Sequence, residues 1–160
     1  LFDSQILSMG FVMLGIFIMF LILFKSISLS IIGIIPNLLA ASFVLGLMGL
    51  IDLPLDMMTI TIAAIAIGIA VDNSIHYIYR FREEYKISKD YDKSVYNSHD
   101  SIGRAIFFTG ITIIFGFSIL ILSNFIPTII FGLLTGLAMF IALVAVLTLL
   151  PKLLINFRPL

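Results

Sequence analysis

The sequence predicts an all-α membrane protein, a polytopic bundle of five transmembrane helices, on three observations. Hydrophobic residues make up 61% of the 160 residues and charged residues 11%, against about 45–50% and about 25% in soluble domains. Mean hydropathy is +1.24. The charges are gathered so that they leave uncharged runs of membrane-crossing length, and a helix needs about 20 apolar residues to cross a hydrocarbon core of roughly 30 Å. Backbone groups in lipid must be bonded internally, and these Ile/Leu/Phe runs lack the alternation of barrel strands, so each crossing is read as a helix.

The first span, about 5–24, lies between Asp3 and Lys25. The second, about 28–51, lies between Lys25 and Asp52, and Asn37 is expected to satisfy the backbone group that Pro36 frees. The third, about 56–80, ends at Arg80 and is interrupted only by Asp72. Residues 105–151 then carry no formal charge. As one helix they would run about 70 Å, more than twice the membrane core. Ser123-Asn124-Phe125-Ile126-Pro127 supplies the break. Spans four and five are therefore placed at about 102–123 and 127–150.

The mixed-sign segment 81–101 reads as a short, solvated surface helix with a turn; the alternative is a regulatory or partner-binding role. No long linker is present, so residues 1–160 form a single transmembrane domain. All nine basic residues (Lys25, Arg80, Arg82, Lys86, Lys89, Lys93, Arg104, Lys152 and Arg158) fall on one side of the five spans. The opposite side has Asp3, Asp52 and Asp56. The positive-inside rule makes the basic side cytoplasmic, with the N-terminus outside and the C-terminus inside, as for a multi-pass protein of the cell (inner) membrane.

There is no cysteine, and His76 and His99 have no further ligand at metal-binding spacing, so neither metal nor cofactor is expected. No nucleophile–base set, phosphate-binding glycine loop or nucleic-acid patch is present. An enzyme or a nucleic-acid partner is therefore not expected. The chain opens on Leu1-Phe2-Asp3 without an initiator Met or a signal peptide, which leads us to expect a fragment.

Asp72 stands out. An aspartate near the middle of a span costs roughly 2.5–3.5 kcal/mol on insertion scales, and intramembrane ionisable groups are functional by default. It precedes Arg80 by about 12 Å of helix and is too short to snorkel to that end. Lipid favours the neutral acid, whereas hydroxyls or a cation favour the carboxylate, so such a group can load and release a proton. The alternative is a structural carboxylate held by polar neighbours. Ala64, Gly68, Asp72 and His76 recur every four residues and share one stripe of span three. Thr109, Thr112 and Gly116 share a face of span four, and Gly132, Thr135 and Gly136 a face of span five. Small residues let helices approach. If spans three and four are neighbours, Thr109 or Thr112 can bond Asp72; otherwise these residues are plain packing positions. His76 either relays protons or is an interfacial histidine.

These residues resemble a known family. Gly68-Ile-Ala-Val-Asp72-Asn73-Ser-Ile-His76-Tyr-Ile-Tyr-Arg80-Phe-Arg82-Glu83-Glu84 is similar to the fourth span of one half of RND-superfamily exporters, nearest the MMPL-type branch. Ile35-Pro36-Asn37-Leu38, Gly46-Leu-Met-Gly49 through Pro54-Leu55, Gly103-Arg104-Ala105-Ile106-Phe-Phe-Thr109, Phe131-Gly132-Leu-Leu and Leu149-Leu150-Pro151-Lys152-Leu153-Leu154 agree in order.

The resemblance implies spans two to six of one half, the C-terminal one. It makes Asp72 the proton-relay carboxylate and the proton the coupling ion. Thr109 and Thr112 are candidate hydroxyl partners, and Asn73 stands where the family often has Tyr. It implies transport of lipids or other hydrophobic compounds. The expected partners are membrane lipids, the missing half with its extracytoplasmic domains, or a homo-oligomer. Two other functions fit the five-span plan. One is a Sec-type protein-translocation accessory subunit. The other is a non-transporting sterol- or lipid-sensing module, in which Asp72 would be structural.

Overall fold

A computed structural model of the chain describes residues 2–54 and 56–160. Leu1, the side chains of Phe2 and Gln5, and Leu55 of the Pro54-Leu55 pair lie outside the described residues. Every described element is helical: α1 (Phe2–Phe24), α2 (Ile27–Leu50), α3 (Met57–Ser88), α4 (Tyr91–Ser98), α5 (Arg104–Ile119), α6 (Ile126–Val144) and α7 (Leu150–Phe157). π-Helical turns at His99–Gly103 and Ala145–Leu149 join α4 to α5 and α6 to α7. Five helices are long and apolar enough to cross a membrane, as the sequence predicts.

Two boundaries differ from the sequence reading, each for a local reason. α3 does not stop at Arg80 but continues to Ser88. Arg80 pairs with Glu84 at 2.7 Å and with Glu83 at 3.7 Å, the one-turn spacing that supports an exposed helix. Lys89 then ends it in the left-handed conformation, with φ 54°. The chain turns back as α4, and Tyr91 packs its ring 5.9 Å from Phe81 and 4.6 Å from Tyr85. Asn97 Nδ2 donates to Glu84 at 3.1 Å. Segment 81–101 is thus a helical hairpin with a buried aromatic contact, not one short surface helix. A left-handed lysine carries a steric cost that glycine avoids. Lys89→Gly is therefore expected to raise stability by about 1 kcal/mol in thermal melts, and a lower melting point would contradict that reading.

The last helix passes Pro151, where the sequence reading stopped it at 150, and ends at Phe157. Proline has no N–H to give to the carbonyl one turn back. The π-helical turn at Ala145–Leu149 lies at that place and absorbs the mismatch. α2 accommodates Pro36 without a break. Asn37 Nδ2 donates to the Gly33 carbonyl at 2.8 Å. The carbonyl that Pro36 deprives of a helical donor is that of Ile32, so Asn37 serves its neighbour and the expectation is corrected.

α2, α3 and α6 pack on one another in the middle, while α5 packs on α6 and α1 on α2. The interior is layered. Val44, Met48, Ile62, Leu134 and Met139 fill the end near Asp52. Ala40, Ala70 and Ala142 let α2, α3 and α6 converge at mid-height. Phe20, Phe24, Tyr77, Phe81 and Leu150 fill the basic end. There Arg82 Nη1 donates to the Phe24 carbonyl at 3.1 Å and ties the extension of α3 to the end of α1.

At the other end Asp56 caps α3. Its carboxylate accepts from the Thr59 backbone N–H at 2.9 Å, and the Thr59 hydroxyl accepts from the Asp56 N–H at 2.8 Å. The Thr59 N–H holds the Asp56 carboxyl below its usual range. Because the folded value is lowered, the cap contributes fully above the ordinary aspartate pKa and fades as pH falls through the lowered value. Asp56→Ala is expected to remove this acid-side dependence from melting curves. An unchanged dependence would assign it to another group.

Candidate functional site

The site is built on the face of α3 that the bundle does not use. Ile62, Ala66, Ala70, Ser74, Tyr77 and Phe81 turn inward and are fully buried. Ala64, Gly68, Asp72 and His76 therefore turn outward together, and all four are exposed. The Asp72 side chain is 70% exposed and that of His76 60%, and His76 Nε2 lies 3.4 Å from Asp72 Oδ1. A Cβ placed on Gly68 would meet open space. Asn73 is half-buried beside them. α2 and α6, which flank α3, bring no charged residue between Lys25 and Asp52 or between Arg104 and Lys152. The titratable neighbour of Asp72 is His76 on its own helix.

The other candidates lie elsewhere. α5 packs against α6 and not closely against α3, so the neighbour relation that would bring Thr109 or Thr112 to Asp72 is not formed within this bundle. Both threonines are exposed, and the Thr112 hydroxyl donates to its own helix at the Phe108 carbonyl, 2.8 Å away. Gly116 faces outward into open space. Gly132 lies in the α5–α6 contact, where an added Cβ would sit 2.6 Å from the Phe117 carbonyl oxygen. Gly136 has ordinary clearance, 3.6 Å from Ser118 Oγ. Thr135 is fully buried, with no partner for its hydroxyl among the described residues.

Two polar contacts escaped the sequence reading. Asn37 Nδ2 lies 3.4 Å from Ser74 Oγ inside the bundle, with both side chains fully buried. The signal was an asparagine in the otherwise apolar second span, and its partner Ser74 lies about half a turn of α3 from Asp72. The buried Tyr77 hydroxyl lies 3.3 Å from His99 Nδ1, joining α3 to the turn before α5. Among the described residues no cluster of three or more His, Asp or Glu side chains could hold a metal.

Five apolar helices of membrane-crossing length around a buried layer of small residues define a multi-span membrane protein. The sequence profile of the MMPL family matches residues 2–157, and the chain belongs to that family. A membrane protein of Methanocaldococcus jannaschii is 33% identical over 153 residues, which cover 96% of this chain and 39% of the relative. The chain thus spans well under half the length of that relative. No solved structure matches it.

Proposed function

We propose that the chain is the transmembrane, proton-coupled part of an RND-type exporter of lipids or other hydrophobic compounds. Asp72 is the group that loads and releases the proton. The observation that carries this reading is the placement of Asp72, mid-span on the lateral face of the bundle and 70% exposed. Acyl chains cannot match a carboxylate; facing them costs roughly 2.5–3.5 kcal/mol. The face therefore suits another protein surface: the other half of the transporter or a second copy. Ala64 and Gly68 let that surface come close. In such a low-dielectric interface, gaining or losing a proton changes which packing is favoured, and a substrate path can be coupled to that change. His76, within reach of Asp72, is the accessory group, and Thr109 and Thr112 are available to a converging helix. The basic end faces the cytoplasm, in the inner membrane.

Transport in liposomes tests the reading. With the full-length protein reconstituted, movement of a fluorescent lipid is expected to follow an imposed pH gradient and stop when a protonophore collapses it. Transport indifferent to the gradient would overturn proton coupling. Gly68→Leu separates the face from the fold. Its side chain enters open space, so the stability of the bundle should change by no more than about 0.5 kcal/mol while transport falls. A transport-competent Gly68→Leu protein would remove the partner surface from this face.

A further inference from the structure

Asn37 and Ser74 form, among the described residues, the one side-chain hydrogen bond joining the uncharged stretches of two spans. Their geometry bears on Asp72. Ser74 follows Asp72 by two residues, which is about 200° around the helix and about 3 Å along it. The two side chains stand back to back at the same depth, Ser74 fully buried and Asp72 outward. Whatever holds Ser74 against α2 fixes the direction in which Asp72 points.

We infer that Asn37 is a positioning residue that sets the rotation of α3 and thereby presents Asp72 to the outer face. This rests on the proton-coupling reading above. Asn37 is itself anchored, because its Nδ2 also donates to the Gly33 carbonyl at 2.8 Å. Its Oδ1 is buried without a partner among the described residues, and an unmet buried acceptor is costly. The amide and the hydroxyl can each donate and accept. The pair can therefore hold in two senses: Nδ2 donating to Ser74 Oγ, as observed, or the Ser74 hydroxyl donating to Oδ1. The apolar contacts, among them the alanines at 40, 70 and 142 close by, set which face of α3 is buried, and the Asn37–Ser74 bond adds a directional contact within that face. No charged group from α2 or α6 competes for this role, and His76 on α3 is the titratable group beside Asp72.

The test uses the full-length protein in liposomes with Asn37→Leu, Ser74→Ala and the exchange Asn37→Ser with Ser74→Asn. A hydrophobic carbodiimide modifies protonated carboxyl groups in membranes, so the pH of half-maximal modification at Asp72 is the first readout. Each single replacement is expected to move that midpoint away from the parent's. The exchange should restore it by returning an amide–hydroxyl pair to the same gap.

The second readout follows rotation directly. The chain has no cysteine, so a spin label on exposed Ala64→Cys or on partly buried Ile69→Cys reports the outward and inward faces through collision with lipid-dissolved oxygen. The contrast between them should be large in the parent and shrink with Asn37→Leu or Ser74→Ala. Lower thermal stability with unchanged midpoint and contrast would show a merely structural bond and overturn the inference. The label contrast is independent of proton coupling, so it judges Asn37 even if the transport reading fails.

Discussion

Asp72→Asn is expected to reduce gradient-driven transport to the protein-free background while leaving insertion and folding intact. The amide has nearly the shape of the carboxylate and can still bond His76, 3.4 Å away, but it cannot take up or release a proton. Because the Asp72 side chain is 70% exposed and supports no other helix of the bundle, its replacement should move stability by no more than about 0.5 kcal/mol. Removing a charge from mid-span should, if anything, ease insertion. Asp72→Glu keeps the proton but lengthens the side chain by one methylene, so partial transport is expected. The competing reading, a structural carboxylate in a lipid-sensing module, expects the reverse: ligand binding independent of pH and an Asn variant that works. Retained transport by Asp72→Asn would sink the relay role. His76→Gln should be milder, slowing transport and shifting its pH profile, because the histidine is an exposed neighbour that assists exchange and is not its sole acceptor.

The architecture was legible because in a membrane the charge pattern does most of the work. Gaps between Asp3, Lys25, Asp52, Asp56, Arg80 and Arg104, and the Ser123–Pro127 break, gave the number and order of the spans. What was missed depended on interactions that hydropathy does not encode. The continuation of α3 through Ser88 came from Arg80 and Glu84 one turn apart. The passage of the last helix through Pro151 came from a π-helical turn that no residue type announces.

At the site, the four-residue stripe puts Ala64, Gly68, Asp72 and His76 on one face, since periodicity fixes which residues lie together, and all four are exposed, not packed in a seam. It could not say what that face meets. Spacing allowed Thr109 and Thr112 to be partners of Asp72, but the order of helices around α3 decides that question, and α2 and α6 take the flanks. Asn37 was read through Pro36, its neighbour in sequence, and its contact with Ser74 lies across the bundle.

The small residues of the last span carry the largest expected effect on stability. Gly132→Ala should destabilise the bundle by about 1–3 kcal/mol, the range for overpacking, and Gly132→Val by the upper end or more. The ideal Cβ would lie 2.6 Å from the Phe117 carbonyl oxygen and 2.7 Å from Leu120 Cβ. A carbonyl on a helical backbone cannot rotate aside as a side-chain tip can, so α5 and α6 must separate. Gly110 makes the contrast: its Cβ would meet the end of Leu143, a flexible group that can move. Gly116 faces open space, so Gly116→Ala should be neutral or gain up to about 1 kcal/mol from helix propensity. Equilibrium unfolding in mixed micelles ranks the three, and Gly132→Ala matching Gly116→Ala would show that the α5–α6 contact tolerates a methyl. The same ranking separates packing from function. The α2–α3–α6 core that orients Asp72 does not run through the α5–α6 seam. Gly132→Ala should therefore loosen span four and leave the outward and inward faces of α3 as they are, whereas Ser74→Ala, a far smaller perturbation of volume, should alter them.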